Sequence, residues 1–469
     1  MQTTSKLLAS LSALALSACA VGPDYAEPTP RPGSTGPFLS AADPAFTPSE
    51  LPTDWWRLYD DPVLDMLVAD ALAANTDLRQ SVARIERARA GLRGARGDRL
   101  PQTSLGASGT YGRLPEAQTL PGLDREGWSY DAGLDVAYEV DLFGRVGRGI
   151  EAARADLAVS EADADAVRVI VVAETTRAYA DAASAASRLS VAREIAELLD
   201  ESLALTSRRH DAGLENGLAV SRIATLRNQR AAIIPALEAE RAAALFRLAT
   251  LTGRAPAALP PIAGERSLVL EIEQPLPVGD GATLLARRPD IRVAERRLAA
   301  DTARIGVATA DLYPRITLGG SVGSAGMDVG DIFTGGPFRW LLGPLLSWSF
   351  PNQEAIRARI DAAEADTQGS LAAFDGAILQ ALEETETALS NYSRALERRL
   401  ALQAASEDAE RAARIVRAQQ REGTINSLDR LDAERTLAEA RAELADQDAA
   451  VSRAQVDVFR ALGGGWPAG

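Results

Sequence analysis

The sequence predicts a mainly α-helical chain of two tandem structural repeats, with two pairs of β-strands set among long helices. Three observations predict it. The 24 Pro and 37 Gly gather in a few stretches between long Ala/Arg/Glu/Asp/Leu tracts, and such tracts form long helices. The second half repeats the first in near-constant register. Four segments alternate apolar and polar residues with period two, the side-chain period of a strand. Much of the 46% hydrophobic content is Ala, which packs helices closely and fills little volume, so helix-on-helix layers are favoured over a thick globular core.

Composition removes whole classes of function. One His (His210) and one Cys (Cys19) are too few for a zinc site, a Cys/His dyad or a Ser/His/Asp triad. No Walker loop and no strand-GxGxxG-helix unit is present. A formal net charge of -15 argues against nucleic-acid binding, which needs basic surface to displace counterions. No metal, no cofactor and no enzymatic activity are expected. A carboxylate-based hydrolase survives only formally, since no Asp/Glu pair stands in a setting that singles it out.

The chain opens with Lys6, an apolar run from Leu7 to Leu16, and Ser-Ala-Cys. These are the n-region, h-region and small-residue cleavage site of a signal peptide covering residues 1–18. The apolar run of about ten residues is half the roughly twenty that a membrane-spanning helix needs. Leu16-Ser17-Ala18-Cys19 resembles the bacterial lipobox, which implies a mature chain beginning at Cys19 with covalent diacylglycerol and an N-acyl lipid on that residue. Ala20 in place of Asp implies sorting to the outer membrane. Residues 19–62 then form a lipid-anchored segment.

An offset of 213 lays the stretch from Asn75 to Gly109 on the one that begins at Arg288. Asp77 falls on Asp290, Leu78 on Ile291, Pro101 on Pro314, Leu105 on Leu318 and Gly106 on Gly319. An offset of 210 continues the match, with Ala152 on Ala362, Glu174 on Glu384, Thr175 on Thr385, Ala178 on Ala388, Gly213 on Gly423 and Leu218 on Leu428. Each copy reads helix, strand, loop, strand, long helix, turn, shorter helix, over residues 63–254 and 283–462. A Pro- and Gly-rich connector, residues 255–282, joins them, and its alternating Leu268, Leu270 and Ile272 predict an added strand or turn. A C-terminal tail covers 463–469.

From Trp128 to Val140 one face carries Trp128, Tyr130, Ala132, Leu134, Val136, Tyr138 and Val140, and the other Ser129, Asp131, Gly133, Asp135 and Glu139. The second copy repeats the pattern with Phe338, Trp340, Leu342, Leu346, Trp348 and Phe350. Partner strands begin after Pro101 and Pro314, at Gln102 to Tyr111 and Arg315 to Gly323. Period two with aromatics near the ends is the pattern of a transmembrane barrel strand, although a half-buried strand of a soluble sandwich alternates in the same way. Four strands cannot close a membrane barrel, for which about eight is the minimum, and an open edge in lipid leaves backbone groups unsatisfied. Several chains must therefore share one barrel, and eight, twelve or sixteen strands each satisfy this argument.

The Pro-free stretch from Gly149 to about Arg209 predicts one helix of about 60 residues, near 90 Å at ~1.5 Å per residue. Its counterpart runs from Glu354 to about Arg421. Shorter helices, roughly Val63 to Arg99 and Leu218 to Thr252 in the first copy, total a similar length end to end, which suits a wall of parallel columns. Apolar spacings of three and four (Ile356, Ile360, Ala363; Leu371, Phe374, Ile378; Leu389, Tyr392, Leu396) give seams of the coiled-coil type.

The stretch LLARRPDIRVAERRLAADTARIGVATADLYPRITLGGSVG, from Leu284 to Gly323, resembles the signature of lipoprotein outer-membrane factors, the NodT-like and OprM-like branch of the TolC-like family. So do CAVGPDYAEP (Cys19 to Pro28), DWWRLYDDPVLDMLV (Asp54 to Val68) and VDLFGRV (Val140 to Val146). The resemblance implies a homotrimer in which each chain gives four strands to a twelve-stranded outer-membrane β-barrel. Long helices would form a periplasmic α-helical barrel, and the N-terminal region, connector and C-terminus a mixed equatorial girdle. The implied function is a passive duct that completes a tripartite efflux pump with a periplasmic adaptor and an inner-membrane transporter, most often of the resistance-nodulation-division class. Outer-membrane lipid is an implied partner and nucleic acid is not.

Ala212-Gly213-Leu214 and Glu422-Gly423-Thr424 stand where the family's tip motifs, Val-Gly-Leu and Val-Gly-Thr, dock the adaptor. The resemblance implies adaptor-docking tips at Gly213, Leu214, Gly423 and Thr424, although both tips lack the Val. Glycine also ends helices in its own right. The segment SLDRLDAERTL, Ser427 to Leu437, looks like the one that constricts the family's closed pore. Residue matching implies a periplasmic gate with Leu428 as an apolar ring, Asp432 as an anionic ring and Arg435 as its salt-bridge partner. Spacings of four and three put these on one helical face, as in any ordinary surface pair. The rival reading of the whole chain is a periplasmic coiled-coil lipoprotein that tethers the envelope; Cys19 and the long helices fit it, and the duplicated strand pairs do not.

Overall fold

The computed structural model describes residues 20–113, 115, 124–334, 338–422, 424–425 and 427–464. In chain order its elements are β1 (Phe46–Thr47), α1 (Pro62–Ala74), α2 (Thr76–Gly97), β2 (Gln102–Arg113), β3 (Glu126–Val140), α3 (Arg145–Asp211), α4 (Gly217–Ala231), α5 (Ile234–Leu251), β4 (Leu276–Pro277), α6 (Gly281–Arg287), α7 (Pro289–Ala310), β5 (Arg315–Gly326), β6 (Phe338–Ser347), α8 (Glu354–Arg421) and α9 (Ser427–Ala461). They fall into two compact units. One comprises Met1–Thr29, Arg84–Glu161 and Arg292–Phe374; the other comprises Pro30–Ala83, Ala162–Ile291 and Asp375–Gly469.

The first unit holds one antiparallel sheet in the order β2-β3-β5-β6. Each repeat supplies a hairpin, and β3 beside β5 joins the two. The alternation expected from sequence is carried row by row across β2, β3 and β5, and breaks on β6, where Leu341 and Leu345 stand on the polar face beside Ser321 and Thr317. Leu105 lies opposite Leu134, Leu134 opposite Val322 and Val322 opposite Trp340, while on the other face Ser104 meets Asp135 and Asp135 meets Ser321. β6 ends at Ser347, so Trp348 and Phe350 lie beyond the strand they were expected to finish. The Trp348 indole N–H instead donates to the Leu312 carbonyl at 3.0 Å, and its ring stacks on Phe350 at 4.7 Å. Behind the sheet, Leu92 packs on Val146 and Ile150.

The second unit is built around fully buried Trp55, which stacks on Phe459 at 4.5 Å with Tyr59 edge-on to both rings. Further along α3, Ile195 and Leu199 pack on Ile223 and Leu226 of α4 and Ala438 of α9. The expected seam on α8 is largely in place, since Ile356, Phe374, Ile378, Leu389 and Tyr392 are buried; Leu371 departs from it at 43% exposed.

Several boundaries differ from the sequence expectation, each for a local reason. α3 has 67 residues and begins earlier than Gly149, because the Asp141 carboxylate accepts from the Val146 and Gly147 amides at 3.0 and 2.7 Å and caps the helix. The helix expected from Val63 to Arg99 is two helices. Buried Asn75 ends α1 through its N–H to the Ala71 carbonyl, caps α2 by accepting from the Asp77 amide at 2.8 Å, and donates from Nδ2 to the Leu251 carbonyl at 2.9 Å. The helix expected from Leu218 to Thr252 breaks at Ala232 and Ile233, ahead of Pro235 in the first turn of α5, since proline cannot continue the ladder behind it. In the connector, Leu270 and Ile272 are buried but form no strand; Ser452 and Gln455 bond to their backbone instead. The connector's strand is β4 (Leu276–Pro277), later than the expected Leu268 to Ile272, and it pairs in parallel with β1, apart from the four strands of the main sheet.

Candidate functional site

Three regions carry the features that sequence reading singled out: the sheet, the strand-to-helix junction beneath it, and the helix ends around Gly213 and α9. The apolar face of the sheet is open, with Leu105 83% exposed, Trp340 71% and Leu342 75%. A row of large apolar residues left uncovered on a folded sheet marks a surface meant for lipid or a partner. Aromatics collect at its two ends. At one, Tyr111 meets Trp128 edge-on and Trp128 stacks on Tyr130, with centroids 5.6 Å apart at each step, and Phe143 stacks on Tyr313 at 4.5 Å at the other, where the Trp348–Phe350 pair also lies. Two aromatic girdles bounding an apolar band are the mark of a membrane barrel. β2 and β6 are its edges, and neither pairs further among the described residues.

At the junction, charges interlock. Glu139 accepts from Arg145 Nε and Nη2 at 2.8 and 2.6 Å, and Asp311 accepts from Arg315 at 3.2 Å and Arg359 at 3.4 Å. Residues 20–24 lie beside these residues. The Val21 amide donates to the Phe143 carbonyl at 3.2 Å, Ala20 fills the space above Gly144, and buried Arg148 bonds Asp24 at 2.7 Å. Cys19, the expected acylation site, lies outside the described residues.

At the far end of α3, Gly213 turns the chain with φ of 73°, donating to the His210 carbonyl at 2.8 Å, and Leu214 is 70% exposed. Among non-proline residues glycine alone takes that backbone at no cost. At the second tip, Thr424 bonds the Gln419 carbonyl through its amide at 3.1 Å and its hydroxyl at 2.9 Å; Gly423 lies outside the described residues. Leu428 falls in the first turn of α9, and its side chain is outside the described residues. Arg435 donates to Asp432 at 2.9 Å, both exposed. The structure thus brings the expected anion and cation together on the exposed side of α9.

Sequence reading missed the residues on the opposite side of α9. Glu434 is buried there and bonded to Arg417 of α8 at 2.8 and 2.7 Å. It missed Asp61 as well, a buried carboxylate that caps α1, accepts from Arg266 at 2.8 Å and from the Tyr179 hydroxyl at 3.0 Å, and helps hold that phenol's pKa above its usual value after burial itself. The cap that Asp61 supplies is local, but the ionic partners Arg266 and Arg417 lie 205 and 17 positions away, beyond the reach of a local motif. Among the described residues no group of three or more His, Cys, Asp or Glu is placed to hold a metal ion, and no helix is long and apolar enough to cross a membrane.

Known proteins share this arrangement. The family model for outer membrane efflux proteins matches the chain twice, over residues 67–254 and 282–464. Outer membrane protein OprJ of Pseudomonas aeruginosa is 34% identical over 462 residues, covering 98% of this chain and 95% of that protein. The probable efflux pump outer membrane protein TtgC of Pseudomonas putida is 29% identical over 478 residues, covering 99% and 96%. The solved outer-membrane channel OprN superposes with a TM-score of 0.88 at 37% identity, over 96% of this chain and 100% of that one. A tandem family match, a full-length relative and an uncovered apolar sheet bounded by aromatics converge: the chain belongs to the outer membrane efflux protein family.

Proposed function

We propose that this chain is the outer-membrane channel of a tripartite efflux pump, working as a passive homotrimeric duct that is gated at its periplasmic tip and opened by an adaptor and an inner-membrane transporter. The observation that carries it is the sheet: four strands, an uncovered apolar face, aromatics at both ends and two unpaired edges. Edge backbone groups in lipid must be paired. Three copies, each laying β6 against the next chain's β2, supply twelve strands and leave no edge. Lipid anchoring at Cys19 is supported by the seat of Ala20 against Gly144, next to the aromatic pair Phe143–Tyr313. Exposed Leu214 at one tip and Thr424 at the other suit a partner that approaches the helix ends. The exposed Asp432–Arg435 pair, repeated by threefold symmetry, suits an ionic restraint around a narrow entrance. In this reading the chain supplies the solute's path.

Planar-bilayer conductance of the purified mature protein tests this. A small closed-state current that rises in Asp432→Ala/Arg435→Ala supports both duct and gate. Current that the substitutions leave unchanged sinks the gate assignment, and no insertion under any condition sinks the duct in favour of an envelope scaffold.

A further inference from the structure

The polar face of the sheet carries a sparse and uneven set of charges. Among the described residues they are Asp131, Asp135 and Glu139 on β3, Arg315 on β5 and Arg339 on β6, while β2 presents only Gln, Ser, Gly and Thr there. Glu139 and Arg315 are engaged at the junction by Arg145 and Asp311. Arg339 reaches across a whole strand. Gly106, Gly133 and Gly323 lie in one register row that ends at Arg339. Its guanidinium passes over this row, 3.8 Å from where a Gly133 Cβ would stand, and meets Asp131 at 2.5 Å. A side chain on Gly323 has no room either, since its Cβ would lie 2.6 Å from the Ala132 carbonyl oxygen. The arginine thus crosses the sheet over Gly323 and Gly133, where no side chain stands in its way. Asp135, one row further on, is exposed and makes no hydrogen bond or ion pair among the described residues.

We propose that Asp135 sets the charge selectivity of the barrel, with Arg339 as the counterweight that cancels Asp131. The inference rests on the duct reading above, in which the polar face lines the lumen. Each chain then contributes a net charge of minus one to a belt at the glycine row, and a trimer three such charges. Within the chain, β3 is an inner strand and its neighbour β2 is uncharged on this face. The belt favours cationic solutes over anionic ones. A wide lumen makes the effect salt-dependent: the Debye length is about 30 Å at 0.01 M salt and about 3 Å at 1 M.

The test is the reversal potential under a KCl gradient, in bilayers, with Asp432→Ala/Arg435→Ala as background so that the tip does not dominate. At about 0.01 M salt Asp135→Asn is expected to move the cation-to-anion permeability ratio severalfold toward one, and Arg339→Gln severalfold away from one. Asp135→Asn/Arg339→Gln, which leaves Asp131 as the belt's charge, returns the ratio to that of the background. All differences shrink at 1 M. Current with ratios that these substitutions leave in place overturns the inference alone. Single variants that move the ratio in the same direction overturn it too. Absence of current in every variant overturns the duct reading and this inference with it.

Discussion

Arg417 of α8 holds the carboxylate of Glu434 on α9 through both oxygens, at 2.8 and 2.7 Å, and only 4% of the Glu434 side chain is exposed. Arg430, one turn earlier on α9, approaches the same carboxylate at 3.6 Å and donates to Ser202 of α3 at 2.7 Å. The helix ends next to the proposed gate are thus joined by a buried ionic contact facing away from it. Removing one partner of such a contact leaves a desolvated charge, at about 3 kcal/mol or more.

Arg417→Ala is accordingly expected to loosen the α8–α9 turn locally. Limited proteolysis should cut within the α8–α9 turn on the order of a hundred times faster than in wild type, while the trimer stays intact on native gels. Glu434→Gln, which keeps two hydrogen-bonding positions, is expected to have a smaller effect. Equal cleavage rates in wild type and Arg417→Ala would show that apolar packing alone holds the turn.

Asp61 does three jobs with one carboxylate: it caps α1, pairs with Arg266 and accepts from Tyr179. Asp61→Ala should destabilise the second unit by about 3 kcal/mol, combining a lost cap with a stranded cation. Tyr179→Phe should cost about 1 kcal/mol. Thermal unfolding followed by circular dichroism checks the order of the two; a larger loss for Tyr179→Phe contradicts it.

Asp448 on α9 is half-buried with no hydrogen-bond partner among the described residues. Burial pushes its carboxyl above the usual value, with Arg399 opposing and Glu271 adding to the rise. The folded chain therefore holds this proton more tightly than the unfolded chain. Its contribution is fully present below the unfolded pKa, about 4, and is lost as pH rises through the folded value. Asp448→Asn should leave Tm nearly unchanged near pH 4 and raise it at pH 7. A variant less stable than wild type at pH 7 would mean that attraction to Arg399 outweighs burial.

Acylation at Cys19 predicts that wild-type protein takes up radiolabelled palmitate in cells and that Cys19→Ser does not. Label retained by the variant would place the lipid elsewhere.

The sheet was readable because its information is local: side chains alternate with period two, and Trp128, Tyr130 and Phe338 sit where an aromatic girdle needs them. The long helices were readable from their Pro-free stretches, and α8 begins at Glu354 and ends at Arg421 as expected of the first copy's counterpart. The gate pair Asp432 and Arg435 was visible because a spacing of three is one helical turn. The break at Asn75 was not visible, whereas Pro235 is a breaker that the sequence carries openly. Asn75 looks like any polar residue until Leu251 is beside it, and Pro235 interrupts the first copy where the second has Ala445 and continues unbroken.

By itself, then, the sequence determined the duplication, the strand pairs, the long helices and an acidic, nearly His-free and Cys-free composition that leaves no room for His- or Cys-based catalysis. These depend on periodicity and composition, which neighbouring residues express without a fold. Only the tertiary structure decided which charges are paired. Arg339 and Asp131 are 208 positions apart, and Arg266 and Asp61 are 205 apart. Such partners are selected by strand register and helix packing, where a shift of one residue would send the same side chain to the other face.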